Sequence, residues 1–300
     1  MMTKKLAETL STHSSDLALL LGNGINRYRS SAQLNSWDAL LMKVASQCAT
    51  GVTTVPKGTT LTEFYDVLRL ASDERKLDLA AEFCKLMQDW RPVAHHRRVT
   101  SWAEARSVPV LTTNFDEVLS EAGQYAFRRF RNKSFTDYYP WECYFAPADL
   151  ADPCAGFGIW HVNGMARYRR SIRLGLTDYM GSVHRARGWL HRSDDRLFGE
   201  KNQDRWPGAE SWMHVVFNKP LLVIGLALEE NEAFLRWLLI ERARYFKKFP
   251  GRRRSGWFAY KPDQSDDREA GKLFFLRAVG FECIPVDSYD DLYADTTWAI

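Results

Sequence analysis

The sequence predicts an α/β protein with a Rossmann-like, doubly wound, mostly parallel sheet carrying large helical insertions. Three observations predict it. "LALLLG" at 17–22 and "PLLVIGLAL" at 220–228 are short, continuously apolar runs with a glycine at or near the end. Such runs suit strands covered by helices on both faces. Third, strand-like and helical stretches alternate at a spacing that fits parallel crossover units.

The elements follow in order. Residues 3–13 form a short helix, and 17–22 the first strand. "SWDALLMKVASQ" (36–47) opens with a Ser N-cap and keeps apolar residues at helical spacing. Residues 51–60 read as a loop or hairpin, and 61–106 as helices. "VPVLTT" (108–113) is a strand, and "NFDEVLSEAGQYAF" a helix starting near Asn114. "FGIWHV" (157–162) is a strand ending in the turn signal Asn-Gly. "SIRLGLTDYM" (171–180) reads as a strand running into a helix start at Thr177. The long helix after 228 has acidic residues first and basic residues last, matching its dipole. "SGWFAYK" (255–261) and "FECIPVD" (281–287) are the last strands, with a helix between them. Residues 1–300 read as one domain with helical insertions at about 36–107, 125–156 and 184–218.

Composition narrows the class. Apolar residues make up 45% of the 300 and aromatic ones 13%, enough for a sizeable core. There is no apolar run near the roughly 18 residues of a membrane span, and the N-terminus has no signal-peptide core. A cytoplasmic protein is expected. The net charge of +4 is mild, so nucleic acid is not expected as a partner. "RRFRNK", "RYRRSIR" and "GRRRS" read as solvated basic surface. The five cysteines are scattered, without the paired spacing of a zinc ribbon; no metal is expected.

Polar residues follow four strands and would meet at one sheet edge, where ligands of such folds bind. Gly22 and Gly24 would let backbone approach a diphosphate; taken alone, the turn reads equally as a tight connection without a ligand. In "TTNFD", Asn114 and Asp116 are ordinary N-cap types, or Asn114 presents its amide to a ribose or a water while Asp116 fixes the loop. His161 would stand exposed at the end of its strand, where a general base is needed. His95 and His96 read as a solvated helix surface.

Together "GNGIN", "TTNFD", "WHVNG" with "LGLTDY", and "VIGLALEENEAFLRWLL" resemble the sirtuins, over about residues 17 to 245. The resemblance is strongest to the bacterial sirtuin-like proteins that destroy NAD during phage infection. It departs at Asn23, Asn163, Ala227 and Glu230 or Asn231, and it lacks the four zinc-binding cysteines of the protein deacetylases. The missing zinc module points away from deacetylation.

The resemblance implies an NAD glycohydrolase that releases nicotinamide and ADP-ribose, an NAD-depleting effector of antiphage defence. Asn114 and His161 would be catalytic. Gly22, Asn23, Gly24, Asn26, Arg27, Thr112, Thr113, Asp116, Gly225 and Glu230 would hold NAD. Such an enzyme needs restraint, so a separately encoded regulatory or sensor protein, such as a ring ATPase, or oligomerisation is expected. The helical insertions and the Trp-rich 184–217 segment would carry that interface. The alternative is a non-catalytic module that binds NAD or ADP-ribose as sensor or docking element. An oxidoreductase is disfavoured by the missing third glycine of the dinucleotide fingerprint.

Overall fold

The computed structural model of the protein describes residues 4–29, 36–48, 51–73, 76–130, 139–199, 204–263, 265 and 268–299. Residues 131–133 of the first basic cluster and 200–203 of the third insertion lie outside the described residues.

Helix α1 (Lys4–Thr12) leads into β1 (Ala18–Leu21). A single helical turn, α2 (Gly24–Arg27), follows. The first insertion supplies α3 (Trp37–Gln47), α4 (Leu61–Asp73), α5 (Leu79–Lys85) and α6 (Ala94–Ala105). Ser36 caps α3 as its sequence position suggests, its Oγ accepting from the Ala39 amide at 3.4 Å. Next come β2 (Val110–Thr112), α7 (Val118–Ala122), β3 (Ala126–Arg129), β4 (Cys143–Ala146) and β5 (Ile159–His161). The remainder is α8 (Leu176–Arg187), α9 (Trp212–Asn218), β6 (Leu221–Ile224), α10 (Ala233–Lys248), β7 (Gly256–Tyr260), α11 (Glu269–Ala278), β8 (Phe281–Pro285) and α12 (Asp290–Tyr293).

The strands form one sheet in the order β3-β4-β5-β2-β1-β6-β7-β8. From β5 to β8 every pairing is parallel; β3 and β4 add an antiparallel edge. Counting only the parallel strands in chain order, the sheet reads 3-2-1-4-5-6, the doubly wound order. Its direction of growth reverses at β1, so the crevice between β1 and β6 is the topological switch point.

The unbroken apolar runs are explained by burial on both faces. Ala18 and Leu20 of β1 and Leu221 and Val223 of β6 pack into one core layer; Leu19, Leu21, Leu222 and Ile224 pack into the other. A third cluster lies among α3, α4 and α5 and takes in Phe115 and Ile172. The first insertion therefore divides: three helices form a cap with its own core, while Val99, Trp102 and Ala103 of α6 belong to the sheet.

Two expectations are corrected. The segment 125–156 carries strands β3 and β4 in place of a helical insertion: Phe127 pairs with Phe145 and extends the sheet beyond β5. Residues 171–180 hold no strand; a 3-10 turn (Ala166–Ser171) precedes α8, and the Ser171 hydroxyl accepts from the Met165 amide at 3.0 Å. In the Trp-rich segment, Trp206 and Trp212 are core residues, with Trp212 stacked 5.5 Å from Trp141. Among the described residues no helix is long and apolar enough to cross a membrane.

Candidate functional site

At the switch point the two glycine loops are in contact. The Gly22 amide donates to Ile224 O at 3.0 Å, and the Gly24 amide to Gly225 O at 2.8 Å. A Cβ on Gly22 would lie 2.4 Å from Gly225 O, and one on Gly24 2.7 Å from Gly225 Cα. Gly225 itself has φ +65°, a conformation that favours glycine. The glycines are thus required by the close approach of two backbones. The amides of Ile25, Asn26 and Arg27 also bond carbonyls of this turn, Gly22 O once and Asn23 O twice. The diphosphate cradle expected at Gly22–Gly24 therefore lacks five of its donors.

β2 ends beside β1. The Thr112 hydroxyl donates to Leu21 O at 3.0 Å and accepts from the Asn114 amide at 3.1 Å, so this predicted ligand group ties the two strands together. The helix expected from Asn114 begins only at Val118, because Asp116 makes a turn first: its Oδ1 accepts from the Val118 amide at 3.1 Å. Phe115 is anchored in the helical cap, 5.2 Å from Trp37 and 5.8 Å from Phe83. Strand and cap together hold the chain between them, where Asn114 and Asp116 sit.

A polar network runs inward from Asp116. Its Oδ2 accepts from Asn26 Nδ2 at 2.8 Å, and the same nitrogen donates to Asn23 Oδ1 at 3.0 Å. His96 fixes the Asn26 amide. Its Nδ1 accepts from the Val93 amide at 3.2 Å, so its Nε2 carries the hydrogen donated to Asn26 Oδ1 at 3.0 Å. His95 Nε2 donates to Ile25 O at 2.8 Å. Both histidines are buried, not solvated as expected, because they lie on the same stripe of α6 as Val99, Trp102 and Ala103. Burial first, and the neighbouring His95 second, push His96 down to about 3. Burial pushes Asp116 up to about 6, against the hydrogen bonds from Val118 and Asn26.

His161 pairs in register with Thr112 at the end of β5. It is 0% exposed, where an exposed residue was expected, with the ring of Phe145 from the added strand β4 at 5.7 Å. Its Nδ1 donates to Asn114 O at 2.8 Å, which leaves Nε2 as a lone pair. Burial lowers its pKa, so the ring is neutral at pH 7. Among the described residues, His161 Nε2, Asn114 Oδ1, Asn163 Oδ1 and Thr113 Oγ1 have no hydrogen-bond partner, though all four are buried. Asn114 Nδ2 lies 3.5 Å from Gly22 O, and Asn163 Nδ2 donates to Glu232 Oε2 at 3.3 Å. Glu232, half-buried at the start of α10, is pushed up by burial to about 7.

Glu230 and Ala227 are exposed, and Asn231 accepts from the Leu61 amide at 2.7 Å, tying the loop to α4. Glu232, which the sequence reading passed over, is the carboxylate turned toward Asn163. Its signal was its spacing, since it begins the stripe Leu235, Leu238, Leu239 and Arg242, all buried in α10. Arg27 is exposed.

Two cavities border the network. One, of about 310 Å³, reaches Asp116; the other, of about 590 Å³, reaches Asn26 and His96; Trp90 and Val118 line both. Elsewhere, Asp152, Cys154 and His214 lie close enough to share an ion. But the Trp206 indole N–H donates to His214 Nδ1 at 3.2 Å. The other ring nitrogen then carries the hydrogen, so the ring offers no lone pair to that group.

No protein-family model matches the chain, and no curated protein matches it.

Proposed function

We propose that the chain hydrolyses NAD at the nicotinamide–ribose bond, releasing nicotinamide and ADP-ribose. The observation that carries the reading is the set of unpartnered acceptors at the carboxyl ends of β2 and β5. An unpaired buried acceptor costs about 1–3 kcal/mol. Asn114 Oδ1, Asn163 Oδ1 and His161 Nε2 all call for donors, and the hydroxyls of a ribose are donors. The resemblance of the four motifs supplies the same ligand.

In this reading Asn114 orients the ribose or the attacking water. His161 is the general base: Asn114 O holds its Nδ1 hydrogen, and its neutral Nε2 takes a proton from that water or from a ribose hydroxyl. Positive charge grows on the ribose as the glycosidic bond breaks. Asp116 holds the loop and Asn26 rather than entering the chemistry. Asn23, Thr113, Gly225 and Glu230 remain proposed NAD contacts. A cytoplasmic, NAD-depleting role in defence, restrained by a partner protein or by assembly, follows from the same resemblance.

Incubation of the chain with NAD, followed by chromatography, tests the reading. Nicotinamide and ADP-ribose in equal amounts are expected, and Asn114→Ala is expected to remove both while melting cooperatively. NAD that raises the melting temperature yet stays intact would identify the alternative binding module.

A further inference from the structure

We propose that the 590 Å³ cavity beside Asn26 is a binding subsite for a phosphate or diphosphate ester, with Arg29, Arg91 and Arg98 as its cationic lining. The volume suits a nucleotide-sized ligand. Guanidinium groups match phosphate oxygens in geometry as well as charge. Tyr28 and Trp90 offer aromatic surface in the same cavity.

The partners of these arginines leave donors to spare. Arg98 meets Asp295 at 2.7 Å, but that carboxylate is 79% exposed. Arg98 Nε is buried without a hydrogen-bond partner among the described residues. Arg29 meets Asp290 at 3.2 Å, with both side chains more than half exposed. Such surface pairs are worth about 0–1 kcal/mol and exchange readily for a better anion. Among the described residues Arg91 bonds carbonyls alone, Gln88 O and Trp90 O, both at 2.8 Å. Two acids, Asp89 and Asp295, also line the cavity, so cations exceed anions by one.

Two further features point the same way. α6 begins at this cavity, and its N-cap is Val93, whose side chain accepts no hydrogen bond. The first-turn amides of Ala94 and His95 have no earlier helical carbonyl to meet, and the helix end adds partial positive charge. Arg29 holds φ +55°, a conformation few non-glycine residues keep without a reason. The amides of Gly22, Gly24, Ile25, Asn26 and Arg27, meanwhile, already bond carbonyls of β6, its loop and the turn itself. A diphosphate near Asn26 would find its donors in the cavity.

The ligand has two possible sources, the diphosphate of the substrate or a separate nucleotide. Only the first rests on the NAD-cleaving reading. Inorganic pyrophosphate, titrated calorimetrically into the full chain, tests the shared chemistry without any turnover. Saturable binding is expected, weakened tenfold or more by Arg98→Ala and by Arg91→Ala. Arg187→Ala on α8, which does not line the cavity, should bind as the parent does. Melting curves confirm that each variant is folded. Absence of saturable binding at millimolar pyrophosphate, or equal weakening by Arg187→Ala, overturns the proposal. Competition between pyrophosphate and ADP-ribose assigns the site to the substrate, and binding of both at once assigns it to a separate nucleotide. Failure to cleave NAD would leave this measurement standing, and arginine-independent binding would leave NAD cleavage standing.

Discussion

Burial acts on His161 and Asp116 in opposite chemical senses. It keeps the imidazole neutral and ready to accept a proton, and it holds the carboxyl protonated to higher pH than usual. For Asp116 the folded value of about 6 exceeds the ordinary 3.8. The native chain therefore binds more protons between these values, and stability falls as pH rises through that window. The effect amounts to at most about 3 kcal/mol. Asp116→Asn should flatten stability against pH between about 4 and 6 in denaturant titrations; an unchanged slope would refute the assignment. His96 is a positioning residue, holding the Asn26 amide with its Nε2 hydrogen. His96→Leu should cost about 1–2 kcal/mol of stability and lower kcat for nicotinamide release more than it alters KM. His96→Gln, which keeps a donor, should recover part of kcat. If Leu and Gln variants behave alike, the His96–Asn26 bond has no role in turnover.

At the scale of elements, the site is made by contacts between loops rather than by any one motif. Gly22, Gly24 and Gly225 close the β1 and β6 loops on each other. Gly22→Ala should destabilise by about 2–4 kcal/mol, since its methyl would meet backbone that cannot move aside. Gly271→Ala in α11 meets nothing within 4 Å and should stabilise by up to about 1 kcal/mol. Equal effects of the two, read by chemical denaturation, would mean that the loop contact is not tight. The strands were legible because β1 and β6 are apolar on both faces, and the doubly wound order followed from alternation. Less was legible where polar residues are buried. His95 and His96 share the stripe of Val99 and Trp102, yet their polarity suggests solvent. β3 (Ala-Phe-Arg-Arg) mixes polar and apolar residues without alternation, as an edge strand partly open to water allows, while β4 is a short run buried throughout.

Across the whole molecule, the sheet brings the ends of β1, β2, β5 and β6 to one edge, and the cap of α3, α4 and α5 covers it. The four polar segments converge as the alternation of strands implied. The degree of their enclosure was not legible, because it depends on Phe115 and Ile172 entering the core of the cap. Of the third insertion's tryptophans, Trp206 and Trp212 fill the core and Trp189 packs against it, half-buried. The most direct measurement is the rate of nicotinamide release from NAD by the parent chain and by His161→Ala, with cooperative melting confirmed for both. The account predicts release by the parent and none by the variant. Intact NAD with the parent, or equal release by the two, would contradict it.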